Sequence, residues 1–424
     1  MVNKIVIIGA GASGLLLAHY LLKKGYEVDI YERHGDPRSL VGSKSRTFPI
    51  ALDDRGMNSL GQIPGLTDRI EAVGHQIVAS VSHSFTGKQR VIPRTKPLIT
   101  IDRLGLIKVL LNTLAANRER LKIHFQHPCT GVDLTAKQAY FATPEGDLTV
   151  NYDLIIGADG ARSVVRKAFL DTKLFEFQQK YVSNDYKSLF LPAKDLQHEL
   201  DTNKIHTWRT DSGTVIILVP QLDGSLSGVI HFPRSDQQIS KLNSTNEVLE
   251  LFQQNFPAVA QLMTYEDAEA FLARPIASNL TVRCNRYHHD NSALLIGDAA
   301  HAVSPALGQG CNSALEDVSV LNKLLDEHTD NWSQVLAQFT ARRLPDALAI
   351  AELSDYTLPA KKSLFVELIL RMKISGVLHK LFPQQFLPPL IQAIHDPAIS
   401  YSQIYEQYRG WCNKVKKSKL AAKF

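Results

Sequence analysis

The stretch Lys4-Ile5-Val6-Ile7-Ile8-Gly9-Ala10-Gly11-Ala12-Ser13-Gly14 decides the fold. Its apolar, β-branched run has no polar alternation, which suits a strand buried on both faces of a parallel sheet. The glycines at 9, 11 and 14 then form a G-x-G-x-x-G turn. Gly9 permits the sharp reversal, Gly11 lets the backbone approach a pyrophosphate, and Gly14 lets the following helix pack closely on the strand. Leu15 to Lys24 has helical composition and stops at Gly25. Glu27 to Tyr31 reads as a second strand ending in Glu32, where an acid can accept ribose hydroxyls, with Arg33 beside it. The first N–H groups of the helix, at Ala12, Ser13 and Gly14, are free for phosphates. Strand, glycine turn, helix, strand and terminal acid together predict dinucleotide binding, without separating FAD from NAD.

Outward from this unit, two further strand-and-glycine segments follow, Tyr152 to Arg166 and Ala293 to Asn312. Between them, Thr214 to Val219 and Leu226 to Phe232 read as strands around the polar turn Gln221 to Gly224. This predicts a mainly antiparallel sheet inserted into the nucleotide-binding domain. From about residue 346 the pattern is helical, interrupted by Pro383, Pro388 and Pro389. The expected division is a discontinuous first domain over 1–75, 100–174 and 281–345, a second over 76–99 and 175–280, and a helical region over 346–424.

Composition narrows the function classes. The 424 residues are 44% hydrophobic and 21% charged, which excludes a disordered chain. A net charge of +5 is too small at this length for a nucleic-acid binder. No apolar run reaches the roughly 18 residues of a membrane-spanning helix. Cys129, Cys284, Cys311 and Cys412 are scattered and give neither a disulfide framework nor a zinc site. His124 and His127 lack a third ligand, so no metal is expected. The chain reads as a cytoplasmic protein.

At Gly157-Ala158-Asp159-Gly160 one strand ends in Asp-Gly. At Gly297-Asp298 another ends in Gly-Asp, followed by Pro305 and by Gly308-Gln309-Gly310-Cys311-Asn312. With the GxGxxG and in this order, these motifs resemble the group A flavoprotein monooxygenases, the aromatic-hydroxylase family. The resemblance implies an α/β fold: a Rossmann-like FAD-binding domain with an inserted, mainly antiparallel β-sheet substrate domain and C-terminal helices. It implies FAD as cofactor, NADPH or NADH as co-substrate, and O2 and a small aromatic as reactants.

Within the family the chain is most similar to the kynurenine-hydroxylating and violacein-pathway branches. The similarity runs through Arg46 to Leu52, Arg55-Gly56, His83 to Gly87, Phe175 to Gln179 and Arg343 to Asp346. On it, Arg46, Ala51, Arg103, Asp159 and Asp298 contact FAD, with Gly310, Cys311 and Asn312 beside the ring. Pro305, Gly308 and Gln309 form the loop facing flavin and substrate, and no obligate acid, base or nucleophile is implied. The substrate end departs from the kynurenine pattern. Ser80 stands where those enzymes have Arg, Arg94 where they have Tyr, and Thr357, after Tyr356, where they have Asn. A serine cannot grip a carboxylate bidentately, so a tryptophan-derived or indolic substrate other than kynurenine is expected, with kynurenine itself the alternative. A flavin reductase or a non-catalytic flavin binder is the rival from another class. His301 reads as structural. Leu364 to Leu370 is expected to pack over the pocket, with membrane-surface association as the alternative; the oligomeric state is left open.

Overall fold

The computed structural model describes residues 2, 4–39, 49–84, 88–115, 119–193, 200–329, 331–359 and 361–421. Lys4–Ile8 lies inside a six-stranded sheet, ordered His288–His289, Ala293–Leu295, Leu154–Gly157, Lys4–Ile8, Glu27–Glu32, Leu121–Phe125. All pairings are parallel except the edge pair at His288–His289. Ile5, Val6, Ile7 and Ile8 are buried, as expected for a strand covered on both faces. Helix Ala12–Lys23 is buried from Gly14 to Leu22 and packs against helices Arg103–Leu114 and Gly310–Glu327. A three-stranded meander, Cys129–Asp133, Gln138–Thr143 and Gly146–Asn151, adds a separate small sheet that the sequence pattern did not reveal.

The second large sheet has eight strands, ordered Ala277–Cys284, Phe177–Leu191, Leu226–Pro233, Val215–Pro220, Lys204–Arg209, His75–His83, Gln89–Ile101, Ile50–Leu52. It is antiparallel except where Lys204–Arg209 runs parallel to His75–His83. Ile77, Ala79, Val81 and His83 are buried while Val78 and Ser82 are exposed, a period-two alternation. Ser80 therefore sits on the face opposite His83. Helices Thr245–Asn255, Pro257–Ala260 and Tyr265–Ala273 contribute Phe252, Val259 and Phe271, with Phe256 between the first two, to the core that takes in Trp208, Leu218 and Ile230 of this sheet.

Helix Trp332–Tyr356 runs through Pro345, so the domain boundary drawn between residues 345 and 346 falls inside one helix. Helices Lys362–Leu381, Leu390–His395 and Tyr401–Ala421 follow, with Pro383, Pro388 and Pro389 between them. They share a core of Ile350, Leu353, Leu368, Leu390, Tyr401 and Trp411. Packing explains only part of helix Lys362–Leu381: Leu368 is buried, but Val366, Leu370, Ile374, Val377 and Leu381 are each more than half exposed. Among the described residues, no helix is long and apolar enough to cross a membrane.

Candidate active site

The glycine turn closes the carboxyl end of Lys4–Ile8. Gly9 has φ +105°, and a Cβ there would meet the Ala158 carbonyl oxygen at 2.5 Å. A Cβ on Gly14 would meet the Gly9 carbonyl oxygen at 2.2 Å, so helix and turn touch backbone to backbone. At Gly11, by contrast, no atom of the described residues beyond its chain neighbours lies within 4 Å of where a Cβ would be. Helix Ala12–Lys23 begins with no side-chain cap and no acid in its first turn, leaving its N–H groups for an anion. Glu32 accepts from the Ala10 N–H at 2.9 Å through one oxygen and from His34 through the other. It thus ties the second strand to the turn. Arg33 is exposed.

Asp159 follows the strand Leu154–Gly157. Its Oδ2 accepts from the N–H groups of Val164 and Val165, capping the short helix that begins there. Its Oδ1 is buried with no partner among the described residues. Burial pushes this carboxyl above its ordinary pKa, against the pull of Ser163 and the helix N–H groups. An orphaned buried acceptor beside the glycine turn suits a ligand donor such as a sugar hydroxyl.

The Gly297-Asp298 turn is held from behind. Asp317 of helix Gly310–Glu327 is fully buried and accepts from the Gly297 N–H at 2.8 Å, from His301 Nε2 at 2.6 Å and from Arg343 Nε at 2.7 Å. His301 is therefore a buried structural partner. Asp298 is exposed at the start of Asp298–His301, and Gly297 abuts Ser13, which brings the last motif against the first.

The loop that follows divides into an open and a closed part. Pro305 and Gly308 are exposed and Gly310 is half-buried. Gln309 departs from the expectation of a substrate-facing side chain. It is fully buried, its Nε2 donates to Asp53 Oδ2 at 2.9 Å, and its Oε1 accepts from the Tyr401 hydroxyl at 2.7 Å. Asn312 is also turned inward. It donates to the Ala51 carbonyl at 2.9 Å and accepts from the Asp53 N–H at 3.1 Å, fastening the strand Ile50–Leu52 to the helix start. With these side chains turned away, helix Gly310–Glu327 presents an uncapped N-terminus with no acid in its first turn. Burial, with Asp298 adding, pushes the Cys311 thiol up to about 12, and Arg103 opposes the shift. Cys311, Asp298 and Arg103 thus lie within one electrostatic neighbourhood. Arg103 is exposed at the start of its helix, and Arg46 lies outside the described residues.

At the substrate end, the Arg94 Nη2 donates to the Ser80 hydroxyl at 3.4 Å. Its Nε is buried with no partner among the described residues. Burial pulls the Arg94 guanidinium below its ordinary pKa, and the Asp53 carboxylate partly restores it. Tyr356 and Thr357 are placed apart from this pair, in the C-terminal helices: Lys416 lies 4.9 Å from the Tyr356 ring centroid, and the Thr357 carbonyl accepts from Trp411 Nε1 at 2.9 Å. Sequence reasoning missed Asp53, Asp317, His395 and Tyr401. A helix-capping Asp before Arg-Gly was a visible signal for Asp53; nothing in the local sequence marked the partners it finds far along the chain.

The open space at Gly11, two uncapped helix starts, the orphaned Asp159 oxygen and the exposed Asp298 together fit a flavin dinucleotide. Comparison with known proteins agrees. Residues 3–354 match the FAD binding domain family. Kynurenine 3-monooxygenase of Sus scrofa is 31% identical over 97% of this chain and 88% of its own length. Violacein synthase of Chromobacterium violaceum is 31% identical over 96% of this chain and 97% of its own. A tetrameric form of 2-methyl-3-hydroxypyridine-5-carboxylic acid oxygenase shares the fold, with TM-score 0.70 and 21% identity over 84% of this chain and 90% of that one. The chain belongs to the FAD binding domain family and, within it, to the FAD-dependent group A monooxygenases.

Proposed function

We propose that this monooxygenase hydroxylates a small aromatic substrate that carries an anionic group, and that Arg94 with Ser80 holds that group. The carrying observation is the half-buried Arg94 guanidinium, which among the described residues has one long side-chain contact, to Ser80, and an unpartnered Nε. A desolvated cation with unfilled donors gains strongly from a carboxylate. Bound FAD supplies oxygen-activating redox chemistry, with NAD(P)H as the electron source and O2 as co-reactant. The chain's own tasks are positioning and exclusion of water. Glu32, Asp159 and Asp298 serve as acceptors for ribose and ribityl hydroxyls, and the starts of helices Ala12–Lys23 and Gly310–Glu327 face phosphate and flavin. In this reading residues 1–75, 100–174 and 281–345 carry the cofactor, while 76–99 and 175–280 face the substrate.

The test is a panel of aromatic carboxylates and their neutral amides, scored for coupled NAD(P)H oxidation and hydroxylated product. Carboxylates are expected to be preferred, and Arg94→Gln to raise KM by roughly 10- to 100-fold, the size of a lost charge-assisted bond. Equal turnover of acids and amides by the wild type would overturn the reading. A second reading, kynurenine itself as substrate, is favoured by the likeness to kynurenine 3-monooxygenase along nearly the whole chain; kynurenine as the best member of the panel would establish it.

For location, the exposed residues Val366, Leu370, Ile374, Val377 and Leu381 recur every three or four positions and form one helical stripe. Exposed Lys373 and Lys380 lie along its border. This supports docking on an anionic bilayer surface. Flotation with phosphatidylserine vesicles, but not phosphatidylcholine vesicles, and its loss in Leu370→Glu would bear this out; no flotation with either would refute it.

A further inference from the structure

Resting on that reading of the substrate end, we propose that His395 is a proton acceptor for the substrate and that Asp53 is the residue that positions it. Asp53 is 1% exposed, and its Oδ1 caps the helix Asp54–Gly61 through the N–H groups of Arg55 and Gly56. Its Oδ2 receives the His395 Nδ1–H at 2.7 Å and the Gln309 Nε2–H at 2.9 Å. With the hydrogen on Nδ1, the imidazole keeps its lone pair on Nε2. The His395 side chain is 24% exposed, so the ring bridges the buried carboxylate and the open side of the cluster.

The backbone around His395 is gripped as well. Arg55, two residues after Asp53, donates through Nε to the Ile394 carbonyl at 2.6 Å and through Nη2 to the carbonyls of Ala393 and Ile399. One short segment thus fixes His395 through both its side chain and its main chain. The charged groups around it are Arg94, in the field of Asp53, and Lys96, paired with Asp54 at 2.5 Å and in the field of Asp396. Arg55 with Glu316, and the Tyr401 hydroxyl on Gln309, complete the set among the described residues.

An electrophilic oxygen attacks a ring more readily when the ring is electron-rich. For a phenolic substrate, the O–H bond breaks, the proton forms a new N–H bond at His395 Nε2, and the electron pair stays on the phenolate oxygen. The imidazolium is stabilised by Asp53, and its proton leaves through the exposed ring edge. No oxidant or reductant is involved in this step.

The probe is 3-hydroxy-4-nitrobenzoate, whose phenolate is coloured and whose carboxylate suits Arg94, bound to the FAD-loaded enzyme and followed by difference spectra against pH. In the wild type the bound probe is expected to ionise about tenfold more readily than the free probe, one unit of pH. His395→Gln and Asp53→Asn are expected to remove that shift, while Arg94→Gln weakens binding at every pH. An unchanged shift in His395→Gln overturns the proposal, and a ring of His395 found doubly protonated by 15N NMR from about pH 6 to 9 overturns it without a ligand. Unaltered affinity in Arg94→Gln, with the shift still lost in His395→Gln, refutes the anion handle and leaves the proton acceptor standing.

Discussion

Arg343 Nε meets Asp317 Oδ1 at 2.7 Å with both side chains out of water, and the other Asp317 oxygen holds the Gly297 N–H and His301. The turn that presents Asp298 therefore rests on a buried charge pair. Burial alone would raise the Asp317 pKa, but His301 and Arg343 outweigh it and hold it below the ordinary carboxylate value. A depressed folded pKa adds stability above the unfolded value of 3.8 and loses it as pH falls through the folded one. Removing one partner strands the other as a buried charge, at a cost of about 3–5 kcal/mol. Arg343→Met should lower the melting temperature and release FAD on gel filtration. A variant that keeps both its melting temperature and its flavin would show that the pair does not support the turn.

Gly14 and Gly11 should fail differently. An alanine at 14 drives its Cβ into the Gly9 carbonyl oxygen, so the turn must open, at about 1–3 kcal/mol. An alanine at 11 meets no atom of the described residues beyond its chain neighbours, so the apoprotein should melt as the wild type does while FAD affinity falls. Comparing melting curves of the two flavin-free variants separates the cases. Equal destabilisation would contradict the geometry.

These contrasts show what could be read in advance. The buried strand Lys4–Ile8, the turn and Glu32 were legible because a nucleotide-binding βαβ unit is encoded locally, by apolar runs and glycines at fixed spacing. The antiparallel second sheet was legible from the apolar runs Thr214 to Val219 and Leu226 to Phe232 on either side of a polar turn. Gln309 was misread because its orientation depends on Asp53 and Tyr401, far away in sequence. Likewise the boundary drawn at residue 345 falls inside helix Trp332–Tyr356, which packing of Phe339, Ala347 and Ile350 carries through Pro345.

Buried histidines predict a second, milder acid transition. Desolvation, with His206 adding, lowers the His83 pKa from 6.5 to about 4; desolvation alone brings His231 to about 4, and at His19 it does so against the bond to the Leu110 carbonyl. Each is neutral in the fold, while the unfolded chain takes up a proton below 6.5. Stability is thus full above that pH and is lost as pH falls from 6.5 to about 4, by up to a few kcal/mol per group. His83 donates into His206, whose other nitrogen bonds the Asp201 carbonyl, so protonating His206 at Nδ1 breaks the chain. Melting temperatures should fall over this window, and less so in His83→Gln. A flat profile down to pH 4 would contradict the assignment.

Arg55 should prove the main fastening of the C-terminal helices to the flavin domain. Its side chain is fully buried, pairs with Glu316 at 2.9 Å and lies 4.0 Å over the Tyr401 ring, besides its bonds to the carbonyls around His395. Arg55→Met keeps much of the apolar stem but abandons three carbonyls and strands Glu316, which should cost about 3–5 kcal/mol. Tyr401→Phe removes a single hydroxyl from Gln309 and should cost only about 1–2 kcal/mol. The two variants also differ in where they loosen the chain. In Arg55→Met the segment 394–400 should become the earliest site of proteolytic cleavage, ahead of global unfolding, whereas Tyr401→Phe should be cut as slowly as the wild type. If the two variants are cut alike, the fastening lies elsewhere: in the apolar core shared by Ile350, Leu390 and Trp411.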